Sequence, residues 1–373
     1  MKQWQSLAGF GISLIFLYLV FFKPDLTNLF RGDRAFFDAL FGSMRINVHD
    51  LQVALEMFRL VPAIVASGIL ILSLLLRSWR WQLMIKQVGP VRFSTVLWSN
   101  SLGYLLNNLL PFRIGEVIRA MIVARDSDLS KVTMVSVVIL ERILDMAGLV
   151  LLFGLVLAVY PFPYWLRLGG LLFSALVVLW LIICIILSSS HKKVINWIKI
   201  RIKDKPPIIL HLGDGIINSI FGLRVLRKTG AMINVTWSSI VLWILYVSVM
   251  KFALDSFGFT TGLYSSIGTT GWLPAAVLTI MTTIGLAVPT APGGIGTYHA
   301  SALITLTWFQ VPEAMGVVFV TTMHLYMNTT LNIMGLIAMW QLGLSWKLLM
   351  KKVKEEKVEL TSSSGNDQKS FES

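Results

Sequence analysis

The sequence predicts an all-α fold, that of a polytopic helical membrane protein with about eight spans. Its 373 residues are 55% hydrophobic and only 14% charged, and the mean hydropathy is +0.74. Soluble domains are less apolar than this, whereas about 20 consecutive apolar residues suffice for a helix to cross a bilayer. Apolar runs recur along most of the chain. The predicted spans are 5–22, 59–77, 132–159, 165–187, 232–256, 269–288, 297–311 and 314–343.

The first of these runs is predicted to be an uncut span rather than a signal peptide. Lys2 precedes it and FFKPDL ends it, without the small-residue A-x-A cleavage pattern of a secretory signal. The integral membrane domain is then expected to cover 1–346. The remaining residues, 347–373, form a polar, Ser-rich tail that is expected to be disordered and cytoplasmic.

The distribution of Lys and Arg predicts which loops face the cytoplasm, because basic loops stay on that side. The loop 188–231 is strongly basic, whereas the connections 160–164, 257–268 and 310–314 contain no Lys or Arg. The same rule assigns another set of basic residues to a cytoplasmic loop between two apolar runs: Arg77, Arg80, Lys86 and Arg92. Both termini are therefore expected in the cytoplasm, with the protein in the plasma (inner) membrane.

A shorter and more polar run, 94–112, has basic residues on both flanks. It is therefore predicted to enter and leave on the cytoplasmic side, as a re-entrant hairpin or a pair of half-helices. Irregular backbone at membrane depth is tolerated only where protein covers it or where it lines a wet cavity. The alternative is that 94–112 forms a full span.

Two interruptions of the apolar pattern share the frame P-x-x-I-G, one in each half of the chain: PFRIG at 111–115 and PGGIG at 292–296. Proline fixes φ and glycine frees it, so a continuous helix is not expected to pass through either stretch. Paired breaks in two halves are typical of inverted-repeat transporters, although Pro and Gly can also merely kink membrane helices. The predicted breaking residues are Pro111, Gly115, Pro292, Gly293, Gly294 and Gly296.

The first break carries charges that favour an anion site. A helix that restarts after Gly115 or Gly296 presents free N–H groups and the positive end of its dipole. Arg113 flanks the first break, and Arg119 follows Glu116 by three positions. A phosphate headgroup is therefore the expected ligand.

The next long apolar run carries Glu141, Arg142 and Asp145 in its interior. Charges within a spanning helix cost at least about 2.5–3.5 kcal/mol each by insertion scales, so they usually face a bundle interior, a partner or water. This cost favours a functional role. The alternative is that the carboxylates neutralise Arg113 or Arg119 and only fix the fold.

Other functional classes find little support in the sequence. The net charge is +13, but the basic bias of cytoplasmic loops and anionic headgroups account for it, so no nucleic-acid partner is expected. No P-loop or nucleophile elbow is visible, and the five His form no metal-ligand spacing. No metal and no cofactor are expected, and transport would be passive, ion-coupled or driven by a lipid gradient.

The stretches NNLLPFRIGEVIRA, ERILD and PTAPGGIGTYH, in this order, resemble the lysylphosphatidylglycerol synthase transmembrane domain family, also called flippase-like domain proteins. The likeness covers about 60–342. It implies a membrane bundle with re-entrant segments that moves an anionic phospholipid or a lipid-linked headgroup between leaflets. The substrate-binding residues expected from the motifs are Asn108, Arg113, Glu116, Arg119, Glu141, Arg142, Asp145 and His299.

Two departures from the family bear on this expectation. His299 stands where members often have Glu, and His titrates near neutral pH. His324 either belongs to the same polar surface or bonds one helix to another. The chain is also expected to lack the soluble aminoacyl-transfer domain of the fused synthases.

The expected partners are membrane lipids and, for a modified lipid, a separate lipid-modifying enzyme. The alternatives to translocation are a membrane-embedded lipid-modifying or glycosyl-transferring enzyme, and a non-transporting partner of such an enzyme. An enzyme predicts a chemically changed lipid, whereas a translocator predicts the same lipid on the other side.

Overall fold

The computed structural model describes residues 3–24, 42–110, 113–189, 196, 200–201, 229–260, 267–268, 270–288 and 291–345. Within them the chain is almost entirely helical, which confirms the predicted all-α class of a polytopic membrane protein. Most of the predicted basic loop 188–231, the tail 347–373 and Pro111 lie outside these residues.

The helices are spread over both halves of the chain. The first half contains α1 (Gln3–Phe21), α2 (Val48–Met57), α3 (Leu60–Ile85), α4 (Phe93–Leu109), α5 (Ile114–Asp126), α6 (Lys131–Leu157) and α7 (Tyr164–Ser189). The second half contains α8 (Thr229–Ser256), α9 (Trp272–Ala287), α10 (Thr297–Trp308) and α11 (Glu313–Gln341), with a 3₁₀ turn at Pro292–Gly294. The short strands β1 (Phe22–Lys23) and β2 (Ser43–Met44) pair antiparallel after α1.

Three of the described helices are long and apolar enough to cross a membrane, by length and composition: Leu60–Ile85, Tyr164–Ile183 and Gly230–Ser256. The helices α6 and α11 have 27 and 29 residues, which at about 1.5 Å per residue also exceeds a hydrocarbon core of ~30 Å. Both are more polar, with charged residues in α6 and with Thr, Asn and His in α11.

The two halves repeat the same order of helix lengths. The series α3 to α6 has 26, 17, 13 and 27 residues, and the series α8 to α11 has 28, 16, 12 and 29. The leading helices α3 and α8 run antiparallel. The N–H of Arg59 donates to the Ser256 carbonyl near one end (2.6 Å), and Arg80 donates to Ser239 towards the other (2.8 Å). This arrangement agrees with the predicted inverted repeat.

The helices α4 and α5 form an antiparallel hairpin. At its open end Thr95 donates to Asp126 (2.5 Å), and closer to its tip the two backbones meet at a pair of glycines. A Cβ added to Gly115 would lie 2.1 Å from the carbonyl oxygen of Gly103. The described part of 94–112 is a single helical arm, α4, and the second arm is α5, so the hairpin is longer than the predicted one and does not turn back within 94–112.

The predicted spans 269–288 and 297–311 are shorter in the structure. With 16 and 12 residues, α9 and α10 are about 24 and 18 Å long, which is below a hydrocarbon core of ~30 Å. They pack against each other at Gly285, where an added Cβ would lie 2.7 Å from the Thr297 carbonyl oxygen. The apolar pattern continues after α10 has ended at Trp308, whereas α9 begins only at Trp272, after Gly271 with its left-handed backbone (φ of 63°). The pair is the counterpart of the α4–α5 hairpin.

The two largest hydrophobic clusters among the described residues hold these helices in place. The larger packs residues of α8, α9, α10 and α11, with Phe257 and Phe319 in edge-to-face contact. The smaller joins α3, α4, α5 and α6 around Trp81 and Met134. The guanidinium carbon of Arg119 lies 4.5 Å from the ring centre of Trp81. The smaller cluster therefore borders the charged residues of α5 and α6.

Candidate functional site

Charged side chains from α3, α5 and α6 form one ionic network, which we call the arginine cluster. Its members are Arg77 and Arg80 of α3, Glu116 and Arg119 of α5, and Glu141, Arg142 and Asp145 of α6. Glu141 and Asp145 are one helical turn apart, so they share a face of α6. That face is directed at α3, since both carboxylates contact Arg77.

The inner part of the arginine cluster is enclosed by protein. Glu141 contacts Arg77 and Arg119, each at 2.6 Å. Asp145 contacts Arg80 at 2.5 Å and Arg77 at 3.0 Å. Side-chain exposure is 7% or less for Arg77, Arg80, Arg119 and Glu141. Isolated charges at this depth would be very costly, so each of these groups depends on its opposite charge.

Neutral side chains complete the inner part. Arg80 donates to Ser239 of α8 at 2.8 Å, and Arg119 donates to the side-chain oxygen of Asn100 of α4. Arg119 also lies over the ring of Trp81 of α3 at 4.5 Å, a favourable position for a cation. The inner part thus connects α3, α4, α5, α6 and α8.

The positions of Arg77 and Arg80 correct the sequence-based topology, which assigned both to a cytoplasmic loop. They lie inside α3, which continues to Ile85 rather than ending at 77. The predicted run ended at 77 because Arg77 lowers the local hydropathy. The largely apolar stretch WQLMI nevertheless follows Arg80. A signal was present in the sequence. Arg77 and Arg80 share a helical face, as do the acidic residues of α6.

The outer rim of the arginine cluster consists of Glu116 and Arg142, and Asp145 joins it to the inner part. The side chains of Glu116, Arg142 and Asp145 are 19%, 30% and 18% exposed. Arg142 lies 3.2 Å from Glu116 and 3.4 Å from Asp145. These contacts are longer than the shortest inner ones. Partly hydrated ion pairs contribute little to stability. The outer rim is therefore the part of the cluster that reaches the protein surface.

Arg113 lies exposed at the first break, immediately before α5. Its backbone is left-handed, with φ of 51°, and its guanidinium donates to the Leu286 carbonyl of α9 rather than to a carboxylate of α6. The charges that act on it most strongly are those of Glu116 and Arg142. Of the carboxylates of α6, Glu141 thus neutralises Arg119, and Asp145 pairs with Arg77, Arg80 and Arg142 rather than with Arg113.

The two helix breaks lie against each other. Besides the contact between Arg113 and Leu286, Gly293 of the 3₁₀ turn packs on Asn108 near the end of α4. A Cβ added to Gly293 would lie 3.7 Å from the Asn108 carbonyl oxygen. The Asn108 side chain donates to Asn332 of α11 at 2.9 Å. The structure therefore brings together both interrupted stretches, which lie in different halves of the chain.

The predicted breaking residues play different parts. Positive φ values of 69°, 68° and 93° occur at Gly293, Gly294 and Gly296, and Pro292 begins the 3₁₀ turn. These residues break the helix as predicted. Gly115 instead lies in the first turn of α5. Its role in the structure is to let α5 approach Gly103, because any side chain there would meet backbone.

His299, predicted as a substrate contact, is buried at the start of α10. Its Nδ1 accepts a hydrogen bond from the N–H of Gly296 at 3.4 Å. The ring of His324 stacks on Tyr298, and its Nε2 lies 3.0 Å from the Gly293 carbonyl oxygen. These contacts belong to the second break, whereas the other predicted residues gather around the first break and the arginine cluster.

The fold and the site define a polytopic helical membrane protein in which paired broken helices lie beside a buried ionic network. The sequence profile of the lysylphosphatidylglycerol synthase TM region matches residues 6–335. The chain therefore belongs to this family, as its three motifs indicated, and is a membrane protein of lipid metabolism or transport. No curated protein and no solved structure shows a significant match.

Proposed function

We propose that the protein moves a lipid with an anionic headgroup between the two leaflets without changing the lipid chemically. One observation carries this proposal: the two helix breaks meet beside a cluster of charges. Broken helices mark the substrate site in inverted-repeat transporters, and irregular backbone at membrane depth can line a wet cavity. The proposed headgroup path runs past both breaks, while the acyl tails stay in the bilayer.

The balance of charge favours an anion as the ligand. Within the described residues the cluster contains four arginines, Arg77, Arg80, Arg119 and Arg142, and three carboxylates, Glu116, Glu141 and Asp145. Three of the four arginines are enclosed, so the cations within reach of a ligand are Arg142, which Glu116 and Asp145 hold, and the exposed Arg113 beside the cluster. Guanidinium groups bind phosphate through two parallel hydrogen bonds. The phosphate of a lipid is therefore the proposed ligand.

Glu116 of the outer rim and Asp145 have a defined place in this proposal. Glu116 and Asp145 hold Arg142 at 3.2 and 3.4 Å in the absence of a ligand. Exchanging these contacts for a phosphate costs little, because ion pairs that are partly hydrated are weak. Glu116 thus keeps Arg142 oriented until a headgroup replaces Glu116 as the partner of this arginine.

The site supports a translocator better than a lipid-modifying enzyme. A general base must reach the proton that it removes, whereas each carboxylate of the arginine cluster already contacts an arginine. The proposal therefore includes no enzymatic step. It has membrane lipids as the partner, a separate enzyme as the source of any modified lipid, and a plasma (inner) membrane location with both termini in the cytoplasm.

The test uses purified protein in phosphatidylcholine vesicles that contain a fluorescent phosphatidic acid, phosphatidylglycerol or phosphatidylcholine. A membrane-impermeant quencher reports the label that reaches the outer leaflet. The variant is Arg113→Ala, and the matched control is Arg167→Ala, an exposed arginine of α7. Protein-free vesicles give the baseline.

We expect fast quenching of the anionic labels by the wild type and by Arg167→Ala, and slow quenching by Arg113→Ala. Wild-type rates in Arg113→Ala would remove this arginine from the proposed site. If no label moves with any protein, translocation is the wrong function, and a chemically altered lipid in cells that lack the protein would indicate an enzyme instead.

A further inference from the structure

The wall of the second break contains two buried histidines that the proposed anion site does not use. His299 and His324 are 4% and 7% exposed, and their ring centres lie 4.8 Å apart with the planes at 90°. The ring of Tyr298 stacks on His324, with centres 4.3 Å apart and planes at 17°. We call these three residues the His–Tyr stack. It lies between α10 and α11, directly under the 3₁₀ turn.

Backbone groups determine which ring nitrogens are free. The Gly293 carbonyl only accepts, so its 3.0 Å contact requires a hydrogen on His324 Nε2. The Gly296 N–H only donates, so its 3.4 Å contact requires an unprotonated Nδ1 on His299. The side-chain amide of Asn328 lies 2.9 Å from His324 Nε2 and can present its oxygen to that nitrogen. The free lone pair of His324 is therefore on Nδ1.

This arrangement makes His324 the better proton acceptor of the two. A proton on His324 Nδ1 leaves the contact with Gly293 intact, whereas a proton on His299 Nδ1 breaks the bond from Gly296. A positively charged ring is also attracted to the face of Tyr298. Since like charges at this separation repel, the pair takes up one proton and not two.

No described residue around the His–Tyr stack supplies a fixed negative charge for that proton. Among the described residues, His299 is the titratable group that acts on the charge of His324, beside the stacked phenol of Tyr298. The neighbouring elements contribute neutral groups, such as Ser13 of α1, which accepts from the backbone of the second break. The exposed cation of the first break, Arg113, is bound to a carbonyl of α9. A proton on His324 would therefore add one new positive charge to this wall.

We propose that the His–Tyr stack is a proton-binding site, centred on His324, that couples proton movement to the passage of an anionic headgroup. The inference rests on the proposed function. Because Gly293 contacts both Asn108 and His324, the site lies on the wall shared by the two breaks. A headgroup that leaves the arginine cluster meets a second cation there only when His324 is protonated.

One proton and one negative charge then cross together and are released on the far side. No bond of the lipid changes, and the two charges cancel during the crossing. Charges inside the membrane are costly, so this neutralisation lowers the barrier to passage. A pH gradient would therefore drive the lipid towards the more alkaline side.

The experiment imposes a pH gradient, acid outside, on vesicles that contain the fluorescent phosphatidylglycerol. For one proton per lipid, a difference of one pH unit supports a leaflet ratio of up to about tenfold. We expect the wild type to accumulate label in the inner leaflet, and His324→Gln to equilibrate the label without accumulation. The matched control, His49→Gln, changes an exposed histidine of α2 and should behave as the wild type.

The outcomes separate this inference from the proposed function. Lipid movement whose leaflet ratio ignores the gradient would overturn the proton site and leave translocation standing, as would accumulation retained in His324→Gln. No lipid movement with any protein would overturn translocation and the coupling together. If only His324→Gln is inactive, an NMR titration of the histidines of the wild type in nanodiscs tests whether the pair binds a proton. Uptake of one proton by the pair supports the site, and two rings that stay neutral over the assay range overturn it.

Discussion

The inner part of the arginine cluster and its outer rim contain the same residue types in different surroundings. The closest inner contacts measure 2.5 to 3.0 Å between side chains that are mostly enclosed, whereas the rim contacts measure 3.2 and 3.4 Å between side chains up to 30% exposed. Removing one partner of a buried pair leaves an uncompensated charge, whereas hydrated pairs are weak. Exposure thus separates residues that fasten helices from residues that exchange partners in the proposed function.

The largest effect is expected from Glu141→Gln in the inner part. This change removes the charge that faces Arg77 and Arg119 and should cost about 3–5 kcal/mol of unfolding free energy. Thermal unfolding of the detergent-purified protein measures it. The control is Glu56→Gln, an exposed residue of α2, which should unfold as the wild type does. Equal midpoints for the two variants would contradict a structural role for the inner part.

A smaller loss is expected from Gly115→Ala, which tests the hairpin that carries Arg119. The new Cβ would lie 2.1 Å from the Gly103 carbonyl oxygen, so α4 and α5 must separate, at about 1–3 kcal/mol. The matched control is Gly154→Ala in α6, where an added Cβ meets nothing within 4 Å. Unfolding midpoints that do not differ between the two variants would show that the helices are not in close contact.

The outer rim is expected to tolerate substitution. Arg142→Gln breaks the partly exposed contacts with Glu116 and Asp145 and a longer one, 3.7 Å, with Glu141, so the loss of stability should stay below about 1 kcal/mol. Arg167→Gln on α7 serves as the comparison, because this arginine is exposed and lies outside the cluster. A loss of stability as large as that of Glu141→Gln would contradict the distinction between the outer rim and the inner part.

The smallest effect concerns the link between the first break and α11. Asn108 donates to Asn332 at 2.9 Å, and hydrogen bonds between membrane helices contribute about 0.6 kcal/mol on average. A double-mutant cycle of Asn108→Ala and Asn332→Ala should show a coupling of that order in the unfolding free energy. Strictly additive effects would mean that this contact does not hold the break in place.

The helix breaks and most of the charged residues of the site could be predicted from the sequence, because each is a local departure from an apolar pattern. PFRIG and PGGIG interrupt hydrophobic runs, and Glu141 and Asp145 are conspicuous inside one. The lengths of α9 and α10 were overestimated, since apolar residues continue past the end of α10 and α9 begins only after Gly271.

Two features of the site depend on tertiary packing that local patterns do not encode. In the sequence Arg77 and Arg80 resemble loop residues, because the carboxylates of α6 that pair with them are brought close only by the fold. The contact of Gly293 with Asn108 joins residues from different halves of the chain. In each case the partner lies too far away in the sequence for a short motif to indicate it.

The most direct test of an anion site at the outer rim is the transport preference of Arg142→Gln. Rates for fluorescent phosphatidic acid and phosphatidylcholine are measured in the same vesicles for the wild type, Arg142→Gln and Arg167→Gln. We predict that the wild type and Arg167→Gln favour the anionic lipid, and that folded Arg142→Gln loses this preference. An unchanged preference in Arg142→Gln would contradict recognition of the headgroup at the outer rim.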